Sequence, residues 1–454
     1  MVSTILTWVK ANLLIVISCA LIVILLPVGW FFSNSWNSSI QEKAQDAYKK
    51  EKNRLNSASS IEYSLPAVLT GESDLSESRA PNALVTRFYK EQRELRDAQV
   101  TEVVNRGTAF NQADHIVPVD GLLPESINDI EFRKKGFRLG ELVAGSPEIP
   151  SIYARLIRKL NAGDAPNPAV LASELKQYKA QQEEVYAATS PDGNISDAQI
   201  KQLNQDLIQR RLGQYAGQAN SIAFYCPLSA IQTAEQIKGY SHIPQTIPGY
   251  DSITQEGVYT WVWDYWIISD ILRAAADANT DDSGVSLTVP SAPVKHIEDI
   301  RIAEFTVASG DTEDDFSSSG GRSGRSGRSG SFSSSDPDPD GINFKSYTER
   351  ESSDAYDIRY VELTLIASSK DLTTFFDALG KTNYMTVIDT DLSQVDPWEA
   401  LDRGYFYGDD HIVRAHITIE TIWLRSWTAP LMPETVRSAL GVVLDSDNPD
   451  NTDG

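Results

Sequence analysis

Residues 11–32 have the sequence ANLLIVISCALIVILLPVGWFF, an apolar run without a charged side chain. A helix needs about 20 apolar residues to cross the hydrocarbon core of a bilayer, and this run has that length. Trp30 lies near the end of the run, where aromatic side chains favour the membrane–water interface. We therefore predict one membrane-spanning helix over residues 11–32, preceded by a short tail over residues 1–10.

Two other interpretations of the apolar run fit less well. A cleaved signal peptide has a shorter apolar core and small residues at its cleavage site, whereas residues 27–32 are bulky. A lipoprotein signal would place Cys19 at the end of the run, but residues 20–26 continue it. Cys19 is therefore predicted to be a small apolar residue that faces lipid or a partner helix.

The flanking charges leave the orientation open. Lys10 precedes the run, and more basic residues follow it: Lys43, Lys49, Lys50, Lys52 and Arg54. A simple positive-inside count would keep the body of the chain in the cytoplasm, but long domains translocate largely regardless of such charges. We predict a short cytoplasmic tail, a single pass through the inner membrane of the cell and a periplasmic body.

Composition limits the function of that body. The chain has 454 residues and a formal net charge of −23, from 40 Lys and Arg against 63 Asp and Glu. The acidic residues are spread along the sequence, which argues against a surface for nucleic acid. Cys19 and Cys226 are the two cysteines, so no disulfide framework or cysteine metal site is predicted.

Residues 33–106 are predicted to form a helical stalk. They are rich in Glu, Lys, Gln, Arg and Ala, and a few apolar residues recur near helical multiples: Leu84, Phe88, Leu95 and Val103. Pro66, Gly71 and Pro81 interrupt the pattern, which favours two helical pieces over one sustained coiled coil. A solvated linker with partial helicity is the open alternative. Either form would hold the following domains away from the membrane.

Residues 107–250 are predicted to be a mostly helical middle region. Short stretches of helical periodicity alternate there with turn-rich patches. Ile152, Leu156, Ile157 and Leu160 fit one helix face, and Ser196 is placed to cap a following helix.

Residues 251–430 have the pattern of an α+β module. An apolar stripe predicts its first helix: Trp261, Tyr265, Ile268, Leu272 and Ala275. A strand over residues 294–307 needs a bulge or burial on two faces, because Ile300 and Ile302 differ in parity from Phe305 and Val307.

The second half of the module alternates more regularly. Val361, Leu363 and Leu365 share one face of a strand, and a helical stripe follows at Leu372, Phe375, Phe376 and Leu379. Residues 384–391 and 413–423 predict two more strands. The order helix, strand, strand, helix, strand, strand can close as an antiparallel four-stranded sheet with both helices on one face, a ferredoxin-like α+β module.

Residues 311–341 and 431–454 are predicted to lie outside this module, as a disordered insertion and an acidic tail. The insertion contains GRSGRSGRSG and ends in DPDPDG, a composition that buries nothing. Asp336, Asp338 and Asp340 have the spacing that begins a calcium loop. The bidentate acid that closes such a loop is replaced by Tyr347, which favours a solvated acidic linker over a calcium site.

Catalytic, cofactor and other metal sites are not predicted. The histidines are scattered, and no zinc-protease, nucleophile-elbow, phosphate-loop or dinucleotide-binding pattern occurs. His411 and His416 are the nearest pair, but their odd spacing on a strand sends them to opposite faces.

The arrangement of anchor, stalk and α+β module resembles the inner-membrane alignment proteins of type IV pilus and type II secretion machines, the PilO/GspM type. It also resembles PilO-like pilus-associated proteins of the Planctomycetes–Verrucomicrobia lineage. The resemblance rests on the architecture of residues 1–106 and 259–427, and residues 107–250 depart from the short PilO pattern. It implies a scaffold, not an enzyme, that forms a homodimer or a heterodimer with a sister PilN/PilO-like subunit.

Trp263 and Trp266 are the predicted interface residues, because they lie off the apolar stripe of the first helix. Coverage of both by residues 107–250 of the same chain is the open alternative. Two functions compete with the scaffold role. The first is a membrane-anchored extracytoplasmic ligand-binding or sensor module, and the second is an anchored hydrolase.

Overall fold

The computed structural model describes residues 2–59, 61–67, 73–124, 128–190, 194–233, 236–304 and 348–442. The chain divides into two compact units, Met1–Arg106 and Gly107–Gly454. It mixes helices with two antiparallel sheets. The predicted insertion over residues 311–341, with Asp336, Asp338 and Asp340, lies outside the described residues.

The first unit begins with α1 (Val2–Ala11) and α2 (Leu13–Ser59). The predicted apolar run forms the first part of α2, and α2 is long and apolar enough to cross a membrane. It continues without a break into the polar segment that follows, and Pro27 lies inside it. This helix is therefore a candidate membrane anchor.

A β-hairpin interrupts the predicted stalk. Its strands, β1 (Ile61–Leu65) and β2 (Leu75–Arg79), pair antiparallel, and α3 (Ala83–Gln112) follows them. The ring of Tyr63 stacks on Tyr89 of α3 with 4.9 Å between ring centroids. The sequence pattern predicts a break here but not these strands. Ile61, Tyr63 and Leu65 do alternate with polar residues, but each strand is only five residues long, and the second is mostly polar.

The second unit begins with helices whose N-terminal ends are capped by side chains. They are α4 (Asp129–Ala144), α5 (Ile152–Lys159), α6 (Pro168–Thr189), α7 (Asp197–Ala219) and α8 (Gln255–Ala278). Ser196 forms a capping box with Gln199 at the start of α7, as its position in the sequence predicts. Ile152, Leu156 and Ile157 are buried on the predicted face of α5.

The second sheet follows α8. Its strands are β3 (Val294–Ile302), β4 (Tyr356–Ser368), β5 (Met385–Gln394) and β6 (Ile412–Leu424), and they lie in the order β3-β4-β6-β5 with every pair antiparallel. Further helices are α9 (Leu372–Thr382), α10 (Pro397–Asp402), α11 (Arg425–Thr428) and α12 (Glu434–Leu440). The helix and strand order predicted from the sequence is present, with α10 added before the last strand.

One face of this sheet packs against α8 and α9. Val361, Leu363 and Leu365 of β4 are buried in the same apolar core as Phe375 and Leu379 of α9. That core also includes Leu139 of α4 and Tyr153 of α5, so the predicted middle region and the α+β module share one core. The opposite sheet face, called the outer face here, carries the alternating polar residues and a second, smaller apolar cluster.

Two segments differ from their sequence-based predictions. β3 ends at Ile302 and has register irregularities near His296 and Glu298, whereas Phe305 and Val307, on which the predicted bulge depends, lie outside the described residues. Val436 and Leu440 are buried in the core, so the first part of the predicted acidic tail is folded. Burial of the apolar side of this short helix stabilises it, although the sequence of the tail is acidic.

Candidate functional site

The two tryptophans predicted as interface anchors lie in the core. Trp263 and Trp266 are each 1% exposed, so the expectation that they project from the protein surface is wrong. They belong to an aromatic cluster with Trp423 of β6 and Trp427 of α11. The physical reason is that α8 is buried over most of its circumference, and Trp261 and Tyr265 of the predicted stripe are the partly exposed aromatic residues of the helix.

The segment after α3 provides part of that cover. The Nε1–H of Trp266 donates a hydrogen bond to the carbonyl oxygen of Ile116 at 2.9 Å. The ring of His115 stacks on Trp427 with an interplanar angle of 7°. Residues 107–250 thus cover Trp266, as the alternative interpretation of the sequence holds, whereas Trp263 contacts Arg359 and Trp423 of residues 251–430.

A buried polar network ties the end of α3 to the sheet. Asn111 donates to the Oδ1 of Asn383 and accepts from the Nε1–H of Trp427, both at 2.8 Å. The Asp270 carboxylate accepts a hydrogen bond from Asn383 at 2.7 Å and lies 2.9 Å from the Nε2 of His115. Since each of these groups is buried and paired, the network serves to fix the helix end in one position.

A second buried pair joins α8 to β4. The Arg359 guanidinium contacts Asp264 at 3.0 Å and lies over the Trp263 ring, 4.8 Å from its centroid. Burial raises the pKa of the Asp264 carboxyl to about 6, although the charge of Arg359 acts in the opposite direction. These groups are enclosed by the core, so their arrangement is structural.

An apolar stripe remains exposed on α3. Leu84, Phe88 and Leu95 are 64%, 47% and 53% exposed. Their spacing of four and seven residues places them on one side of the helix. Val85 and Tyr89, which are less exposed, lie on the side where Tyr63 of the hairpin packs. This stripe is the candidate protein–protein surface in the first unit.

A cavity of about 420 Å³ opens on the outer face of the second sheet. His296 of β3 lines it and is 4% exposed. The register irregularities of β3 lie on either side of this residue. The backbone of His296 forms a parallel bridge with that of Tyr225. The loop before β6 supplies Tyr405, which stacks on the imidazole at 4.3 Å, and Tyr407, whose hydroxyl lies 2.8 Å from its Nδ1.

Ion pairs line the same cavity. Arg414 of β6 donates two hydrogen bonds to Glu298, from Nε at 2.6 Å and from Nη2 at 3.0 Å. Burial opposes ionisation of Glu298, but these bonds hold the pKa of its carboxyl below the ordinary value. Burial also lowers the pKa of His296 to about 4, so its imidazole is neutral near pH ~7.

Other histidines singled out in the sequence lie apart from this cavity. His416 is exposed on the outer face with its Nδ1 3.1 Å from the Thr364 hydroxyl, and His411 precedes β6 beside Ser369. Within the part of the chain that the structure describes, no group of three or more His, Cys, Asp or Glu side chains is arranged to hold a metal ion.

The cavity beside His296 is absent from the sequence-based predictions. Tyr407 lies 111 positions after His296, and Arg414 lies 116 positions after Glu298. No short motif joins residues so far apart. The sequence indicates this site only through His296, which lies near Lys295 and Glu298 on a predicted strand. Such a pattern does not distinguish a ligand site from a solvated strand face.

No family model and no curated protein matches this sequence. Among solved structures, the type 4 fimbrial biogenesis protein PilO from Pseudomonas aeruginosa is similar to part of the chain, with 18% sequence identity and a TM-score of 0.13. The similarity covers 16% of this chain and 47% of that protein, so the chain spans about half the length of the structure it matches. It is a weak, partial similarity to a pilus biogenesis protein.

Proposed function

We propose that this chain is a membrane-anchored, non-enzymatic structural subunit of a pilus-like or type II secretion-like assembly that acts through protein–protein contacts. The observation that carries the proposal is the exposed stripe of Leu84, Phe88 and Leu95 on α3. These residues follow a helix long and apolar enough to cross a membrane. A single helix that leaves such side chains in water gains free energy when a second helix covers them.

The partner proposed for this stripe is a second copy of the chain or a sister PilN/PilO-like subunit anchored in the same membrane. Anchoring confines both partners to one surface, which raises their effective concentration and allows a narrow apolar stripe to suffice. Arg87 and Glu91, which flank the stripe, are exposed and lie 3.7 Å from each other, and both can exchange this contact for one across the pair.

A ferredoxin-like module is the fold proposed for residues 251–430. The strand order β3-β4-β6-β5, with α8 before β3 and α9 between β4 and β5, supports it. The packing of α8 and α9 against one sheet face is a further support.

The proposed location is the inner membrane, with residues 1–10 in the cytoplasm and the bulk of the chain in the periplasm. An alkaline phosphatase fused after Gly107 should be active, and a fluorescent protein fused at the same site should be dark. The reverse pair of results would place the body in the cytoplasm.

Association of the full chain tests the function. Native mass spectrometry of the chain released from detergent micelles should show a dimer, alone or with a candidate sister subunit. Leu84→Ser combined with Leu95→Ser should weaken that dimer, and Lys90→Ser combined with Asp97→Ser, on the other side of α3, should leave it intact. A chain that stays monomeric alone and with its candidate partners would contradict the proposal.

The cavity beside His296 favours a second candidate function, an extracytoplasmic ligand-binding module. The two functions are compatible within one subunit, because the cavity and the α3 stripe belong to different units of the chain.

A further inference from the structure

The cavity on the outer sheet face has the properties of a small-molecule site. Its volume of about 420 Å³ lies within the range of roughly 300–1,000 Å³ typical of ligand pockets. Strands β3 and β6, the end of β5, helix α10 and the loop before β6 all contribute to its lining. It therefore lies where several separate segments meet, on a rigid sheet.

A buried hydrogen-bonding atom in this cavity is unused. The Nε2 of His296 has no hydrogen-bond partner among the residues that the structure describes, although it is inaccessible to solvent. A buried polar atom left in this way destabilises the folded chain. A ligand that supplies the missing partner would recover that free energy.

Tyr407 determines which kind of partner is missing. Its hydroxyl is buried and lies 2.8 Å from the Nδ1 of His296, and the tautomer of the imidazole decides which of the two atoms donates. When Tyr407 donates to Nδ1, the proton of the neutral imidazole lies on Nε2. The unused atom is then an N–H donor, and the ligand must offer an oxygen acceptor.

The charges around the cavity argue against an anion as that acceptor. Arg414 is paired with Glu298, and Arg403 is paired with Glu399. The remaining acid, Asp396, accepts a hydrogen bond from the backbone N–H of Trp398. Both guanidinium groups that line the cavity are thus already neutralised, and a carboxylate or phosphate would meet no uncompensated positive charge.

Hydroxyl groups match this lining. A hydroxyl both donates and accepts, and each ion pair presents a carboxylate acceptor beside guanidinium donors. The geometry points to a neutral carbohydrate as the ligand of this cavity, with the Glu298–Arg414 pair binding sugar hydroxyls and the Nε2–H of His296, shielded by its neighbours in the unliganded chain, donating to a sugar oxygen after a side-chain movement on binding. This inference is independent of the assembly role, because it concerns a different surface and a different class of ligand.

Calorimetric titration of the full chain in lipid nanodiscs tests the inference, since maltoside detergents would compete for the cavity. The probes are methyl glucoside, maltose and chitobiose, with inorganic phosphate and choline as charged counter-probes. We expect saturable binding of at least one saccharide and none of phosphate or choline. Failure of all three saccharides at millimolar concentration, or saturable binding of a charged probe that competes with them, would overturn the inference.

Two variants locate the binding. His296→Phe keeps an aromatic ring against Tyr405 and removes the Nε2–H, so saccharide affinity should fall about fivefold to tenfold. Tyr407→Phe removes the donor that fixes the tautomer and should weaken binding less, with the histidine retained. His416→Phe is the matched control on the same sheet face, outside the cavity, and should bind as the parent does. Equal affinity of the parent and both cavity variants, or equal loss in the control, would refute the assignment.

Discussion

The indole of Trp266 donates its Nε1–H to the carbonyl oxygen of Ile116 at 2.9 Å, across 150 positions of sequence. This bond joins α8 to the segment after α3 in the second unit. It places a tryptophan that the sequence suggests is a surface anchor within the core. The consequence is that Trp263 and Trp266 contribute to the core of the second unit.

Truncation of Trp263 or Trp266 should therefore destabilise the second unit. Trp263→Ala or Trp266→Ala removes a large buried side chain, and each should lower the free energy of unfolding by about 3–5 kcal/mol. Trp398→Ala is the control, because Trp398 is 77% exposed. Thermal unfolding followed by circular dichroism measures the difference. An unchanged melting temperature in the α8 variants would contradict their assignment to the core.

Asn111 should be the most sensitive polar residue of the α3 end. Asn111→Ala removes the acceptor of both the Leu424 N–H and the Trp427 Nε1–H and leaves these buried donors unpaired. The expected loss in the free energy of unfolding is about 2–4 kcal/mol. Asn204→Ala, at an exposed position within α7, should change stability little. Urea titration measures the free energy of unfolding of both variants. Equal values for Asn111→Ala and Asn204→Ala would show that the network does not fix the end of α3.

The neutral state of His296 predicts a pH dependence of stability. Its pKa is about 4 in the folded chain against 6.5 for an ordinary histidine, because the site is buried. Below pH 6.5 the unfolded chain binds a proton here that the folded chain does not, so stability falls as the pH falls toward about 4.

Comparison with His296→Phe isolates this contribution. Between about pH 7 and pH 5 the parent chain should lose about 2 kcal/mol more stability than the variant, which has no proton to gain at this position. Urea unfolding followed by tryptophan fluorescence measures both. His416→Phe should behave as the parent does. Parallel losses in the parent and in His296→Phe would show that His296 titrates normally in the fold.

The sequence predicts elements best where one face is apolar and the other is polar. The alternation of Val361, Leu363 and Leu365 in β4 and the stripe of Leu372, Phe375 and Leu379 in α9 both correspond to buried faces. In these elements the local periodicity and the tertiary burial agree, so the pattern suffices to place side chains on the correct side.

The same reasoning fails for α8 because its acidic residues are paired with distant partners. Asp264 contacts Arg359, 95 positions away, and Asp270 contacts His115, 155 positions away. In the sequence, Trp263 and Trp266 lie off the apolar stripe, as these acids do, and this suggests a surface. Because these partners provide hydrogen bonds, Asp264 and Asp270 can be buried together with the tryptophans.

The cavity beside His296 could not be predicted for a related reason. Its chemistry depends on which nitrogen of one imidazole faces Tyr407, and on ion pairs formed between β3 and β6. Such contacts are properties of the sheet register, which the spacing of residues in the sequence does not specify. The α3 stripe, by contrast, is a local pattern, and Leu84, Phe88 and Leu95 are evident from the sequence.

Photo-crosslinking in cells tests the assembly role most directly. A benzoylphenylalanine placed at Leu95, on the exposed stripe of α3, should yield one discrete adduct with a second copy of the chain or with a second membrane-anchored subunit. The same residue placed at Lys90, on another side of the helix, should yield none. The absence of an adduct at Leu95, or equal adducts at both positions, would contradict the proposal that this stripe joins the chain to a partner.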